Sequence, residues 1–122
     1  YRIEASPAFV MKVNLPSPEL AALFHSSRAR RAAFITACNP ASQPLSATEN
    51  HQRQALLLQC IEQLGLHWLP GRGEDPAGEW PGEDSFLVLG IEKETACGLG
   101  RQFGQNAIVF CDSGAVPQLV VL

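Results

Sequence analysis

Small polar side chains are concentrated where an apolar segment ends and the longest amphipathic segment begins. The stretch reads T-A-C-N-P-A-S-Q from Thr36 to Gln43 and continues to Asn50 and Arg53. Amides and hydroxyls recognise polar ligands through hydrogen bonds, and a helix N-terminus presents free backbone N–H groups to an anion. The simpler interpretation is a helix start whose free N–H groups are bonded by its own Ser and Glu. The stretch contains more polar residues than such a cap requires, so a binding site stays the alternative interpretation.

A cysteine lies within this stretch and raises the question of nucleophilic catalysis. Cys38 is followed by Asn39, and His51 lies twelve residues beyond that asparagine. A Cys–His nucleophile is therefore one hypothesis. Because His51 falls one residue off the apolar stripe of the following helix, and a thiol at a strand end usually packs in a core, the packing interpretation is favoured.

Other familiar chemical motifs are absent from the sequence. Neither the phosphate-binding G-x-x-x-x-G-K-[ST] nor the dinucleotide-binding G-x-G-x-x-G occurs, so no cofactor is predicted. Five acidic residues between positions 74 and 84 lack the alternation of a calcium loop, which favours a solvated loop over a metal site. The four cysteines form no C-x-x-C pair, which favours buried thiols in a reducing cytoplasm.

Length and charge further restrict the class of protein and its possible partners. The 122 residues, 46% of them hydrophobic, predict a single globular domain over residues 1–122. No apolar run approaches the ~20 residues that span a bilayer, so no membrane segment is expected. Residues 1–60 hold six basic and three acidic side chains, whereas residues 61–122 hold three and nine. The Arg28, Arg30 and Arg31 cluster lacks interleaved aromatics, which argues against a nucleic-acid partner.

The elements that must position the polar stretch follow from apolar periodicity and from capping residues. They predict an α+β fold, a single mixed β-sheet with about three helices packed against it, in the order β-α-β-α-β-β-α-β-β. Residues 70–85 read as a long connection without regular structure. The strands are expected near residues 8–15, 32–38, 66–69, 86–91, 106–111 and 118–122, and the helices near 17–26, 46–64 and 93–103.

The second helix has a clear start and carries polar residues on its inner side. Ser46 and Glu49 fit the S-x-x-E capping box. Asn50 and Arg53 fall on the same side as the apolar stripe, where they need polar partners. The polar stretch before the helix is the nearest source of such partners. The stripe itself is Leu57, Cys60, Ile61 and Leu64.

Three further residues, from two segments, join this candidate site. Trp80 is flanked by Gly78, Pro81 and Gly82, so its indole either covers a cleft or anchors the long connection, and anchoring is the more common outcome. Gln105 and Asn106 follow a glycine at a predicted helix-to-strand junction. Two consecutive amides there either satisfy loop backbone or line a pocket.

Several short motifs are spread along the chain, namely Phe34-Ile35-Thr36-Ala37 with Asn39-Pro40, Glu49-Asn50, Trp80-Pro81 with Glu83, Phe86 to Ile91, and Phe103-Gly104-Gln105-Asn106-Ala107. Together they resemble an uncharacterised bacterial family, the domain-of-unknown-function family 3293, over residues 1–115. The resemblance implies one fold and a site location, and it implies no biochemical activity. Cys38 stands where other residues are expected in relatives, which weakens the nucleophile hypothesis.

We therefore expect a small cytoplasmic domain that binds a polar or anionic small molecule, or a nucleotide-like group, at the strand–turn–helix over residues 36–53. Whether it is an enzyme stays open, and Glu83 is the candidate acid or base because the other groups are amides and hydroxyls. The alternative is a protein-interaction or regulatory, immunity-type module without catalytic activity, whose acidic half meets a basic partner. The predicted ligand-binding residues are Thr36, Asn39, Ser42, Asn50, Arg53, Trp80, Gln105 and Asn106.

Overall fold

The computed structural model describes residues 1–74 and 82–122, and in these ranges seven strands form one sheet. The strand order across the sheet is β2-β1-β4-β5-β3-β6-β7. Three helices, α1, α2 and α3, accompany it in the described ranges. The bounds are β1 Arg2–Ile3, β2 Phe9–Val10, α1 Pro18–Ser27, β3 Ala32–Ile35, α2 Ala47–Gln63, β4 Trp68–Gly73, β5 Glu83–Leu89, α3 Lys93–Gln102, β6 Ala107–Cys111 and β7 Pro117–Val121.

The predicted α+β class and single sheet are confirmed, but the described strand pairs are all antiparallel rather than mixed. The reason lies in how the two β-α-β units are arranged. Helix α2 connects β3 to β4, and β5 lies between these two strands in the sheet. Helix α3 connects β5 to β6, and β3 lies between those two. Each crossover therefore joins two strands that an antiparallel strand separates, so no parallel pair forms.

Strand β3 is an inner strand of the sheet, between β5 and β6, and is buried on both faces. Ala33 and Ile35 point to the face covered by α2 and α3, whereas Ala32 and Phe34 point to the face covered by α1 and the N-terminal segment. This is the alternation expected of an extended strand. All four residues are buried. The end of β3 is therefore held firmly from both sides.

The starts of α1 and α2 are confirmed. Ser17 caps α1 by accepting a hydrogen bond from the Leu20 backbone N–H at 3.2 Å. Ser46 and Glu49 form the predicted capping box of α2, with distances of 3.1 and 3.3 Å. The predicted burial of Leu64 is wrong, because this residue ends the helix and is 44% exposed. No helix within the described ranges is long and apolar enough to cross a membrane.

The predicted strand over residues 8–15 is wrong beyond Val10. The chain forms only the short hairpin of β1 and β2 before it turns. Asn14 has a left-handed φ of 67°, which ends any strand at that point, and Leu15 is 53% exposed. Met11, just beyond the hairpin, is buried.

The predicted unstructured connection over residues 70–85 is wrong at both ends, because β4 continues to Gly73 and β5 begins at Glu83. Glycine within β4 has a packing reason. A Cβ on Gly71 would lie 2.6 Å from the Phe34 ring and 2.9 Å from the Arg2 carbonyl oxygen, so a side chain is excluded there. Trp80, whose indole was predicted either to cover a cleft or to anchor the long connection, lies outside the described residues.

Candidate functional site

The turn that follows β3 has an unusual backbone. Asn39, Ala41 and Ser42 have φ values of 47°, 53° and 60°. Such left-handed conformations cost about 1–2 kcal/mol for a residue with a Cβ, and they persist only where surrounding contacts hold them. One such contact is the hydrogen bond from the Ala41 N–H to the Gly104 carbonyl at 2.7 Å. The turn is thereby tied to the junction between α3 and β6.

Asn50, in the first turn of α2, holds the same turn from the other side. Its Oδ1 accepts the Asn39 backbone N–H at 2.9 Å, and its Nδ2 donates to Asn39 Oδ1 at 2.8 Å and to the Leu45 carbonyl at 3.5 Å. Asn39 Oδ1 also accepts the Leu45 N–H at 2.9 Å. Both donors of the Asn50 amide are used within the turn, so Asn50 positions the site.

Arg53 is likewise directed to backbone carbonyls. Its Nε donates to the Ala37 carbonyl at 2.6 Å, and its Nη2 donates to the Phe103 carbonyl. The guanidinium carbon also lies 5.9 Å from the centre of the Phe103 ring. Arg53 therefore joins β3, α2 and the end of α3, and its charge is turned toward these carbonyl groups.

Gln54 is a member of the site that the sequence interpretation did not include. It is buried, and its Oε1 accepts the Ala37 N–H at 2.7 Å. The signal was present in the sequence, because Asn50, Gln54, Leu57 and Ile61 follow the spacing of one helix face. An amide within that stripe must find a buried hydrogen-bond partner.

Thr36 connects the end of β3 to the start of β5. Its hydroxyl accepts the Cys38 N–H at 3.1 Å and donates to the Asp84 carbonyl at 2.7 Å. Gln54 Oε1 lies farther from the hydroxyl, at 3.4 Å, so the single hydroxyl hydrogen is assigned to Asp84.

Side chains from three distant segments complete the network. Asn39 Nδ2 donates to Glu83 Oε2 at 2.9 Å, and Asn106 Nδ2 donates to Ser42 Oγ at 3.0 Å. Gln105 Nε2 donates to the Cys38 carbonyl at 3.0 Å and to the Phe103 carbonyl at 3.3 Å. The β3 turn, the start of β5 and the α3–β6 junction therefore converge at one end of the sheet.

These segments surround a cavity of about 520 Å³, which we call the site cavity. Its apolar part lies on the α1 side of the sheet, to which Phe34 and Val109 point. Gln105 donates to backbone carbonyls and Asn106 donates to the Ser42 side chain, and both residues also line the cavity. The polar side chains that line it among the described residues include Thr36, Asn39, Ser42, Glu83, Ser85, Gln105 and Asn106.

A second cavity, of about 870 Å³, lies on the α2 side and shares Asn39, Glu83 and Ser85 with the first. Although it is larger, three of its distinctive polar side chains are already engaged. Asn50 and Gln54 bond to the turn and to β3 backbone, and Arg72 forms an exposed ion pair of 2.8 Å with Asp84. The smaller cavity is therefore the better candidate for a ligand.

The structure gives the Cys38 nucleophile hypothesis no support. Burial raises the pKa of the Cys38 thiol, and the nearby Glu83 and Asp84 carboxylates raise it further, so the unreactive thiol is favoured. Cys38 Sγ lies 3.6 Å from the Asp84 carbonyl, and His51 is exposed on α2. Within residues 1–74 and 82–122, no group of three potential metal-binding side chains comes together.

Comparison with known proteins places this site within a shared sequence region. No curated protein and no solved structure matches the chain. A family model described as "Protein of unknown function (DUF3293)" matches residues 35–108, a narrower range than the predicted 1–115 but more than half of the 122 residues. The matched range contains each residue from Thr36 to Asn106 in the network described above. The chain therefore belongs to the DUF3293 family.

Proposed function

We propose that the protein binds a small polar molecule in the site cavity. The observation that carries this proposal is the convergence of amide, hydroxyl and carboxylate groups from three segments on one cavity with an apolar wall. Ligand sites in proteins typically have volumes of about 300–1,000 Å³ and combine apolar walls with a few oriented polar groups. The site cavity fits this description in both size and lining.

The polar groups are held in place before any ligand arrives, which supports binding. Gln105 is oriented by two backbone carbonyls, and Asn39 is oriented by Asn50 and Glu83. Side chains that are already ordered lose less conformational entropy on binding. The strained backbone of the β3 turn is consistent with the same role, because strained residues cluster at binding sites.

Hydrogen-bonding capacity also remains in the cavity lining. Both hydrogens of the Gln105 amide are used, but its Oε1 accepts no hydrogen bond from the described residues. The same holds for Asn106 Oδ1. A ligand can therefore bond to these oxygens without breaking the network that shapes the turn.

The proposal is tested by filling the cavity and screening for ligands. Ala107 lines the cavity on β6, two residues before Val109 and on the same face of the strand, so Ala107→Phe should occupy the space. We expect a thermal-shift screen of metabolites and nucleotides to give ligands that raise the Tm of the wild type but not of Ala107→Phe. Gln118→Phe is the matched control, because Gln118 is exposed and pairs with Phe110 on the opposite face. Shifts that persist in Ala107→Phe, or no shift with any compound, would refute the proposal.

The alternative function, a protein-interaction or regulatory module, is favoured by a different feature. Strand β7 is the outermost strand at one side of the sheet, and Leu119 and Val121 are 54% and 77% exposed there. An edge strand with exposed apolar residues can pair with a strand of another chain. Sedimentation equilibrium tests whether a second copy is that partner. Association that Val121→Lys abolishes would favour this alternative, and a monomer at all concentrations would show that a second copy is not the partner.

A further inference from the structure

The charge of the site cavity restricts the ligands it can accept. Among the described residues that line it, Glu83 is the one with a charged side chain. The nearest arginine in the network, Arg53, donates to the Ala37 and Phe103 carbonyls instead of lining the cavity. A buried anion next to Glu83 would therefore meet like charge without a compensating arginine.

The direction of the hydrogen bonds in the cavity lining also disfavours an anionic ligand. Asn39 and Asn106 each direct an amide hydrogen to another residue of the lining, and both Gln105 amide hydrogens go to backbone carbonyls. The side-chain donors that remain in the described lining are the Tyr1 and Ser42 hydroxyls and one hydrogen each of Asn39 and Asn106, whereas the acceptors include the Glu83 carboxylate, Gln105 Oε1 and Asn106 Oδ1. Such a lining accepts more hydrogen bonds than it donates.

The N-terminus of α2 does not make the site cavity favourable for an anion. The first N–H groups of α2 are partly satisfied by its own capping box of Ser46 and Glu49, and neither residue lines the site cavity. The anion-binding potential of that helix end therefore does not point into the cavity.

We infer that the ligand of the site cavity is a small organic cation with N–H donors, such as a primary ammonium or a guanidinium compound. This inference rests on the proposed function and deepens it. The ammonium or guanidinium group pairs with the Glu83 carboxylate, and its remaining N–H groups donate to Gln105 Oε1 and Asn106 Oδ1. Charge-assisted hydrogen bonds of this kind are the stronger ones in proteins.

A matched set of four-carbon probes tests the sign of the charge. Putrescine, butanediol and succinate have similar lengths and carry positive, zero and negative charge, and their binding is measured by isothermal titration calorimetry. We expect putrescine to bind most tightly. Glu83→Gln keeps a side-chain oxygen that accepts from Asn39 but removes the charge, and it should weaken putrescine binding about tenfold or more. Glu62→Gln removes an exposed charge on α2 away from the cavity and should leave binding unchanged.

A second variant keeps the test decisive if Glu83→Gln fails to fold. Asn106 is exposed, and Asn106→Asp adds a negative charge of the same shape beside Ser42. It should strengthen putrescine binding and weaken succinate binding. If succinate or another anion binds more tightly than putrescine, and Ala107→Phe abolishes that binding, the cation inference fails while the binding function stands. If no probe and no compound of the broader screen binds, both fail.

Discussion

Asn50 and Asn39 form two hydrogen bonds that run in opposite directions. The Asn39 backbone N–H donates to Asn50 Oδ1 at 2.9 Å, and Asn50 Nδ2 donates back to Asn39 Oδ1 at 2.8 Å. This reciprocal pair holds Asn39 at a φ of 47°, from which its own Nδ2 reaches Glu83. The position of the carboxylate in the site cavity therefore depends on an amide of α2 that does not itself line that cavity.

Asn50→Ala should destabilise the protein by about 1–3 kcal/mol, because it leaves the Asn39 N–H and the left-handed turn without their partner. Urea denaturation followed by circular dichroism measures this loss. Gln52→Ala, at an exposed position on the same helix, is the control and should change the free energy of unfolding by less than about 0.5 kcal/mol. Equal effects of the two substitutions would mean that the reciprocal pair does not stabilise the turn.

Gln54→Leu should lower the free energy of unfolding by about 1–3 kcal/mol, although leucine is the more hydrophobic residue. The reason is that the Ala37 N–H would lose its 2.7 Å partner inside the protein. Gln59→Leu makes the same change at an exposed position of α2 and serves as the control. Chemical denaturation of both variants checks the expectation, and a stabilised Gln54→Leu would contradict the assigned hydrogen bond.

Ala41→Gly should stabilise the protein by up to about 1 kcal/mol. Glycine adopts the φ of 53° without the steric cost of a Cβ, and that gain exceeds the added entropy of the unfolded chain. Ala55→Gly, at an exposed position within α2, should instead destabilise by about 1 kcal/mol. Opposite signs of the two changes in differential scanning calorimetry would verify the strain. A loss of stability in Ala41→Gly would show that the turn is not strained.

The stability of the protein should decrease at alkaline pH. Burial raises the pKa of the Cys111 thiol from 9.0 to about 12. The folded protein therefore holds this proton more tightly than the unfolded chain does. The associated stability is fully present below pH 9 and is lost as the pH rises from 9 toward 12. Urea midpoints measured between pH 7 and pH 11 should fall less steeply in Cys111→Ala than in the wild type, whereas identical slopes would argue against burial of this thiol.

The sequence was most informative where local chemistry decides the structure. The caps at Ser17 and Ser46 were predictable, because a short side chain satisfies nearby helix donors whatever the rest of the fold does. The inward direction of Asn50 and Arg53 followed from helix periodicity alone. The location of the candidate site at the end of β3 rested on the same reasoning.

Features that depend on distant contacts were not predictable. Glycines at 71 and 73 suggested a loop, yet β4 includes both, because the Phe34 ring lies against the position where a Gly71 side chain would stand. The antiparallel pairing depends on β5 and β3 inserting between strands joined by helices. One hydrogen bond of the Gln105 amide goes to the Cys38 carbonyl, and no sequence pattern places that distant residue nearby.

The strand order also determines when the site can form during synthesis. Ala32 in β3 pairs with Leu89 of β5 on one side and with Cys111 of β6 on the other. Strand β3 therefore cannot pair until β5 and β6, which are synthesised much later, have left the ribosome. Non-local pairing of this kind slows folding and leaves an apolar strand exposed in the nascent chain. The left-handed turn after β3 gains its support from Gly104 at the same late stage. On the proposed function, the site cavity should therefore be complete only after β7 has emerged, because Leu119 of that strand also lines it, and a chain that ends before β6 should not bind the ligand.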